Sequence, residues 1–290
     1  MTQYSTLRGT ALPSLRRLAW RVGRRVYCAA RGEPGADDIA TDGEAYVQRC
    51  LVKSISPCSE LCVFDIGANC GDWSASFLRA LSAEHRTHAK TRLHSFEPVP
   101  ATRQMLLSRL ASMKGSEIAE VHAFAMSNEC GAAPMAILSD TGGTNSLSLD
   151  TKNTRRADNM IEVEKTTLAD FCRQRGIGHV NLVKSDTEGH DLSVLRGARE
   201  ILAAGRLDLF QFEYNHTWVF SRAFLKDVFE LVEGLPYRVA RIRPASIEIL
   251  DGWHPELERF FHANYLLVRE PALAWFDVRF GTFDGSNTYA

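Results

Sequence analysis

Carboxylates and histidines gather after two apolar runs in the second half of the chain. Asp186, Glu188 and His190 follow the first run closely, and Glu213 ends the second. Such side chains can remove a proton from a hydroxyl, and an unperturbed imidazole pKa suits this task near pH 7. The pattern predicts His190 as a general base, with Asp186 and Glu213 as catalytic partners. Alternatively, His190 and Asp191 only begin the next helix, where Asp191 stabilises the first turn.

A divalent metal is a second interpretation of the same acids. Asp186, Glu188 and Glu213 offer oxygen ligands for Mg²⁺, which could bind and acidify a hydroxyl. Their spacing does not require a metal, so a divalent cation is possible but not favoured. Cys58 and Cys62 have no second pair to complete a zinc site and are expected to be small buried side chains. His94 and His122, which lie inside apolar runs, are expected in the core or at a sheet edge rather than as ligands.

A glycine turn follows the first apolar run of the chain. Gly67 and Gly71 are four residues apart, with carboxylates at Asp65 and Asp72. A dinucleotide site usually has three glycines that free a helix N-terminus for a pyrophosphate. Flanking carboxylates would repel phosphate but would suit the ammonium and sulfonium of S-adenosylmethionine. The turn therefore favours this methyl donor, and an NAD(P)-dependent oxidoreductase remains an alternative.

An acidic residue also ends the second apolar run. Glu97 is placed to accept a bidentate hydrogen bond from a ribose diol. NAD enzymes carry an acid at the same place, so Glu97 alone does not identify the ligand. Alternatively, Glu97 is an ordinary cap before Pro98.

Strands and helices alternate regularly along the chain. Strands are predicted at 61–66, 92–97, 120–126, 179–185, 208–213, 237–242 and 264–268, and helices at 73–81, 101–113, 168–175, 191–204 and 220–231. Between them, short extended pieces at 135–138, 146–149 and 161–164 predict a β-rich insertion over about 130–165. The alternation predicts an α/β fold with a mostly parallel, doubly wound sheet and an antiparallel edge strand. Its ligand site is expected beyond the carboxyl ends of the strands.

Four sequence motifs occur in an order that resembles one known family. They span residues 64–73, 95–100, 125–128 and 183–191, and they are similar to the successive motifs of FkbM-type methyltransferases. The resemblance extends over about residues 45–270, and it departs from the family pattern at Ser185 and Thr187. It implies a class I (Rossmann-like) fold and S-adenosylmethionine-dependent methylation, usually of hydroxyls on sugars, polyketides or related natural products.

The resemblance also implies roles for individual residues. Asp65, Gly67, Asn69 and Gly71 would line the methionine end of the donor, Glu97 would hold the ribose, Ser127 and Asn128 would lie near the adenine, and Asp186 would also contact the donor. The expected function is O-methylation of a sugar, glycan, glycolipid or secondary metabolite, with the insertion forming part of an acceptor lid. Alternatively, the chain binds the donor as a scaffold and does no chemistry.

Composition is typical of a globular protein. The chain has 290 residues, of which 45% are hydrophobic and 24% charged, with a net charge of −1. These values exclude a disordered or collagen-like protein, and no run approaches the roughly 20 apolar residues of a membrane-spanning helix. The expected organisation is an arm and linker at 1–40, a methyltransferase domain at 41–275 and a tail at 276–290. Seven cysteines, an odd number, favour reduced thiols and a cytoplasmic location.

The N-terminal arm has a charge of its own. Residues 1–32 carry seven arginines and no acid, whereas the remaining 258 residues carry 27 basic and 35 acidic side chains, a net of −8. Apolar residues recur at helical spacing between Leu12 and Val26, so the arm is predicted to be a basic amphipathic helix. Either it docks on its own acidic domain, or residues 8–31 contact an anionic membrane surface or an acidic partner. Because the main body is acidic, no nucleic-acid partner is expected.

Overall fold

The computed structural model describes residues 13–32, 38–84, 90–137, 146–147 and 159–281. Its α-helices are α1 (Pro13–Ala30), α2 (Glu44–Ser54), α3 (Asp72–Ala83), α4 (Pro100–Ala111), α5 (Leu168–Arg175), α6 (Asp191–Gly197), α7 (Arg199–Ala203) and α8 (Leu225–Val232). Short 3-10 helices occur at Ser116–Ile118, His216–Val219, Pro255–Leu257 and Glu270–Trp275.

The described strands form two sheets. They are β1 (Leu61–Ile66), β2 (Thr91–Phe96), β3 (Ala119–His122), β4 (Ala125–Met126), β5 (Gly131–Ile137), β6 (Asn159–Thr166), β7 (Val180–Ser185), β8 (Leu207–Tyr214), β9 (Tyr237–Arg243), β10 (Ser246–Leu250), β11 (Ala263–Arg269) and β12 (Val278–Gly281). The large sheet has the order β3-β2-β1-β7-β8-β11-β9-β10-β12, and the small sheet has the order β4-β6-β5.

One half of the large sheet is parallel. β3, β2, β1, β7 and β8 are parallel to their neighbours, whereas β11 is antiparallel to both β8 and β9. Strands β1 and β7 are fully buried, which is why their sequences are nearly continuous apolar runs. Parallel pairing brings the carboxyl ends of β1, β2, β7 and β8 to one edge of the sheet. The predicted α/β class, with a mostly parallel sheet and an antiparallel side, is confirmed.

Several element boundaries differ from the sequence prediction. The large sheet includes β10 and β12, which had not been expected, and β12 lies beyond the predicted domain end at residue 275. The predicted third strand divides into β3 in the large sheet and β4 in the small one, and the helix predicted over 191–204 divides into α6 and α7. The helix predicted from residue 220 begins at Leu225, because a 3-10 helix capped by the Asn215 side chain precedes it.

The insertion is β-rich, as predicted. β6 pairs in parallel with β4 and antiparallel with β5, and Ser146 forms a single bridge with Ala136. Residues 138–145 and 148–158 lie outside the described residues, and with them half of the extended piece predicted at 146–149. The small sheet has its own apolar centre, which includes Met135 and Val163.

A buried ion pair joins β9 to β10. Arg241 donates to Glu248 Oε2 from Nε at 3.0 Å and from Nη2 at 2.9 Å. The same Nη2 donates to the Arg31 carbonyl at 2.9 Å, so the guanidinium also holds the residue that follows α1. The Arg241 side chain is 1% exposed and that of Glu248 is 8% exposed.

Residues 13–30 of the N-terminal arm are helical, as predicted. The large apolar side chains Leu15, Leu18, Val22 and Val26 are between 50% and 63% exposed. Docking on the domain is therefore limited to the C-terminal end of α1, where Tyr27 contacts Phe261, and it does not bury the apolar face. Contact with a partner stays a prediction. None of the described helices has the length and apolar character needed to cross a membrane.

Candidate functional site

Two cavities meet at the carboxyl edge of the parallel strands. The first, here called the inner cavity, is mostly apolar; its lining includes Phe96, Glu97, Phe124, Met126, Met135 and His190. The second, here called the outer cleft, is wider and more polar; its lining includes Glu44, Arg49, Lys184, Glu213, Asn215 and His262. Gly67, Asn69, Asp186 and Glu188 line both, so these four residues form the border between them.

The glycine turn after β1 is packed tightly on the loop after β7. Gly67 has a φ of +74°, and a Cβ at this position would lie 1.9 Å from the Asp186 carbonyl oxygen. Asn69 also has a left-handed backbone, with a φ of +48°, which asparagine tolerates better than most residues. Its Oδ1 is buried and has no hydrogen-bond partner in the described part of the chain. The turn therefore presents an unpaired acceptor at the border of the two cavities.

Glu97 caps the chain before α4, and its ribose-binding role stays a prediction. Its carboxylate is buried and accepts from the Val99 amide at 2.8 Å and from the Asn69 amide at 3.0 Å. It thus caps the start of α4 and holds the glycine turn. Burial raises the pKa of Glu97. Because each carboxylate oxygen can accept a second hydrogen bond, Glu97 can still bind a hydroxyl in the inner cavity.

Only one of the two carboxylates beside the glycine turn borders a cavity. Asp65 is fully buried, accepts from Ser74 Oγ at 2.6 Å and lines neither cavity. Asp72 lines the outer cleft, where it is exposed and forms an ion pair with Arg109. The expectation that both acids border the ligand is therefore corrected for Asp65. Asp65 supports the turn from behind, and Gly71, which lines neither cavity, is the N-cap residue before α3.

The acids that do line the inner cavity come from other loops, namely Glu97, Asp186 and Glu188. Glu188 has a φ of +53°, an uncommon conformation for this residue type that is found most often at functional sites. Burial, then the charges of Asp186 and Glu213, raises the pKa of Glu188 to about 8.

His190 faces the inner cavity and is absent from the lining of the outer cleft. Its Nε2 lies 3.0 Å from Ser127 Oγ, which also contacts Asn128 Oδ1 at 3.1 Å. Burial, assisted by the charge of Lys165, lowers the pKa of His190 to about 4. The imidazole is therefore neutral at pH 7 and lies with the two residues expected near the adenine. Ser127 and Asn128 themselves lie behind it and line neither cavity.

Lys184 brings a buried positive charge to the outer cleft. Its Nζ lies 3.0 Å from Asp186 Oδ2. Burial opposes its charge, but the carboxylates of Asp186, Asp65 and Glu44 together raise its pKa. Burial likewise opposes ionisation of Asp186, but the ammonium of Lys184 keeps the pKa of this carboxyl below its usual range. Asp186 is therefore ionised at neutral pH.

Glu213 and His262 form the other side of the outer cleft. Glu213 Oε1 lies 3.0 Å from His262 Nε2 and also accepts from Asn215 Nδ2. Burial, followed by the negative charge of Asp186, raises the pKa of Glu213 to about 7. Of the three residues predicted to be catalytic, the structure thus brings Asp186 and Glu213 together in the outer cleft. His190 lines the inner cavity instead.

His262 was not identified from the sequence. It immediately precedes β11, and the antiparallel register pairs Ala263 with Tyr214 of β8. This register places His262 next to the end of β8, where Glu213 lies. An antiparallel pairing of the strands predicted at 208–213 and 264–268 would have been the signal that identifies it.

The described residues contain one group of three side chains with metal-ligand geometry, and none of the three lines either cavity. His94, Glu120 and His122, on β2 and β3, bring their ligand atoms within 4.8 Å of one another. His94 Nδ1 lies 3.1 Å from His122 Nε2, and burial lowers the pKa of each imidazole to about 4. Arg175 Nη1 forms an ion pair with Glu120 Oε2 at 3.1 Å. Both histidines are buried, as the sequence predicted.

Of the two cysteines predicted to be buried, Cys62 is buried and Cys58 is exposed, so that expectation is wrong for Cys58.

The comparison with protein families decides the family. The model of the FkbM methyltransferase domain matches residues 65–239, which is more than half of the chain. The chain belongs to the FkbM methyltransferase family. The family predicted from the motifs is confirmed. No curated protein sequence matches this chain.

Solved structures similar to this FkbM methyltransferase are distant. An FkbM methyltransferase from Methylobacillus flagellatus is 16% identical, with a TM-score of 0.43 over 71% of this chain and 43% of that protein. The O-methyltransferase TomG from Streptomyces achromogenes is 12% identical, with a TM-score of 0.42 over 91% and 93%. A precorrin-6y C5,15-methyltransferase from Geobacter metallireducens is 11% identical, with a TM-score of 0.40 over 81% and 92%. The chain thus spans less than half the length of the M. flagellatus protein.

Proposed function

We propose that this protein transfers a methyl group from S-adenosylmethionine to a hydroxyl of a sugar, glycan, glycolipid or secondary metabolite. The observation that carries the proposal is the border between the two cavities. A mostly apolar inner cavity and a polar outer cleft share Gly67, Asn69, Asp186 and Glu188. A donor in the inner cavity and an acceptor in the outer cleft would meet at these four residues.

The inner cavity has the chemistry that the donor needs. Phe96, Met126 and Met135 offer apolar contacts for a nucleoside, and the Glu97 carboxylate can accept from ribose hydroxyls. The unpaired Oδ1 of Asn69 can accept from an ammonium group. When bound, S-adenosylmethionine supplies an electrophilic methyl group on a cationic sulfur. Of the two border acids, Asp186 is ionised at neutral pH and favours that positive charge over the phosphates of a dinucleotide. Glu188, with its pKa raised to about 8, is mostly neutral there.

The outer cleft has the chemistry that a hydroxyl acceptor needs. Glu213, with a pKa of about 7, suits the removal of a proton near neutral pH. In the proposed reaction the Glu213 carboxylate would take the proton of the acceptor hydroxyl while the oxygen–methyl bond forms and the methyl–sulfur bond breaks, with S-adenosylhomocysteine as the leaving group. His262 and Asn215 hold this carboxylate in place, and Asp186 shares its charge environment. Donors and acceptors such as Arg49, Arg79 and Glu44 around the cleft suit a molecule with several hydroxyls.

The described part of the insertion covers the inner cavity rather than the outer cleft. Met135, Ser146 and Leu147 line the inner cavity. Ser146 Oγ also contacts the carbonyl oxygens of Thr187 at 3.0 Å and Glu188 at 2.9 Å. These residues would enclose the donor, in contrast to the acceptor lid that the sequence suggested.

The cysteines are all free, which supports a reducing compartment such as the cytoplasm as the location.

The experiment separates donor binding from methyl transfer. Calorimetry with S-adenosylhomocysteine and with NAD⁺ tests the donor, and incubation with methyl-labelled S-adenosylmethionine and fractionated glycolipid and small-molecule extracts tests transfer. We expect binding of S-adenosylhomocysteine alone, and label in a hydroxyl-bearing product that is lost in Glu213→Gln. Binding without transfer to any fraction would indicate a scaffold protein. Binding of NAD⁺ in place of S-adenosylhomocysteine would indicate an oxidoreductase.

A further inference from the structure

Helix α1 carries an uncovered apolar surface. Leu15, Leu18, Ala19, Val22 and Val26 recur at steps of three and four residues and are all exposed; they are here called the apolar stripe. Four of the five are large side chains that are at least half exposed. Isolated exposed apolar residues are ordinary, but a continuous stripe along one helix face indicates an interaction surface.

The contacts that α1 makes with the domain come from its other side. The Tyr27 ring packs edge-on against Phe261, with centroids 6.1 Å apart, and the Arg24 guanidinium lies 5.1 Å from the same ring. Arg259 donates to the Tyr27 hydroxyl at 3.2 Å. Since successive helical residues are about 100° apart around the axis, Arg24 and Tyr27 lie away from the apolar stripe. The domain therefore holds the C-terminal end of α1 with the stripe turned outward.

The charge of α1 limits what can cover the stripe. The helix carries five arginines and no acidic residue, and Arg16 and Arg25 lie beside the stripe on either side of it. The rest of the chain is acidic and yet does not cover the stripe. A partner that offers only negative charge is therefore not sufficient. A nucleic acid would not use an apolar stripe, and two facing copies of α1 would bring their arginines together. A surface that fits the stripe and its arginines therefore carries negative charges and has an apolar layer beneath them.

The length of the stripe fits such a surface lying flat. From Leu15 to Val26 the helix rises about 17 Å, well short of the roughly 30 Å of a hydrocarbon core. In an interfacial helix, apolar side chains enter the boundary between headgroups and acyl chains, and arginines reach the phosphates beside them. We infer that α1 binds the surface of an anionic lipid bilayer, with the apolar stripe inserted and the flanking arginines on lipid phosphates.

Vesicle flotation of the full 290-residue chain tests this inference. The probes are vesicles of phosphatidylcholine alone and of equimolar phosphatidylcholine and phosphatidylglycerol. We expect the chain to float with the anionic vesicles and to be released by high salt. Val22→Glu should reduce the bound fraction on the order of tenfold, because it places a charge in the middle of the stripe. Leu107→Glu is the matched control: Leu107 is 44% exposed on α4, and its replacement should leave binding unchanged.

The remaining variants and outcomes complete the test. Arg16→Gln with Arg25→Gln should weaken binding to the anionic vesicles and reduce its salt dependence. Circular dichroism and the unfolding midpoint establish that each variant is folded. Failure of the unaltered chain to float would contradict the inference, as would equal flotation of Val22→Glu. A concentration-dependent dimer that Val22→Glu abolishes, without vesicle binding, would show instead that a second copy covers the stripe.

Discussion

Glu213 Oε1 lies 3.0 Å from His262 Nε2, and this contact joins the end of β8 to the residue before β11. It is possible only because β11 runs antiparallel between β8 and β9. Besides burial, the negative charge of Asp186, which follows β7, raises the pKa of Glu213. Three elements therefore contribute to one proton-binding group. The proposed general base is therefore a product of the sheet order and not of any local motif.

The pH dependence of methyl transfer should reveal this group. Glu213 accepts a proton only when ionised, so kcat should fall as the pH decreases through about 7, the raised pKa of this carboxyl. Glu213→Gln should lower kcat by about 10²- to 10⁴-fold and remove this dependence. The measurement is the pH profile of kcat at saturating donor. The exposed Glu233→Gln is the control, and a profile that survives in Glu213→Gln would place the base elsewhere.

His190 should affect the donor more than the proton transfer. Its imidazole lines the inner cavity and is held by Ser127 Oγ, and burial lowers its pKa to about 4. His190→Ala should therefore weaken binding of S-adenosylhomocysteine while leaving the kcat dependence near pH 7 in place. Calorimetry and the pH profile measure the two effects separately. Unchanged donor affinity with a large loss of kcat would restore His190 as the general base that the sequence suggested.

Glu97→Ala should weaken donor binding by about 1–3 kcal/mol, because a buried acceptor and two contacts to backbone amides are lost. Calorimetry with S-adenosylhomocysteine measures this loss. Glu117→Ala is a suitable control, since Glu117 is an exposed glutamate in the short 3-10 helix before β3. If Glu97→Ala binds as tightly as the unaltered chain, the carboxylate does not contact the ribose.

The sequence predicted what depends on local pattern and missed what depends on side-chain placement. Apolar runs of strand length identified β1, β7 and β8, because strands buried on both faces must be apolar. The flanking acids Asp65 and Asp72 look equivalent in sequence. In the fold, Asp65 is buried beneath the turn and Asp72 pairs with Arg109 on the surface. The inference that the donor is cationic therefore depends on acidic residues from other loops, and not on Asp65 and Asp72.

The packing of the glycine turn gives a further prediction. A Cβ at Gly67 would lie 1.9 Å from the Asp186 carbonyl oxygen, and its φ of +74° is strained for alanine. Gly67→Ala should therefore separate the two loops that form the border, and it should reduce both donor affinity and the thermal midpoint. Gly178→Ala is the control, because a Cβ there meets nothing within 4 Å and its φ is not positive. Equal behaviour of the two variants would contradict the close packing of these loops.

The stability of the antiparallel side should depend on the pair between Arg241 and Glu248. Glu248→Ala leaves the Arg241 guanidinium, 1% exposed, without its carboxylate, and the loss of one partner of a buried pair costs about 3–5 kcal/mol. Urea unfolding measures this as a lower free energy of unfolding. The control is Glu270→Ala, which removes the partner of Arg238 from a pair whose side chains are 53% and 52% exposed. Such exposed pairs contribute about 0–1 kcal/mol, so a comparable loss in both variants would show that burial does not strengthen the pair between β9 and β10.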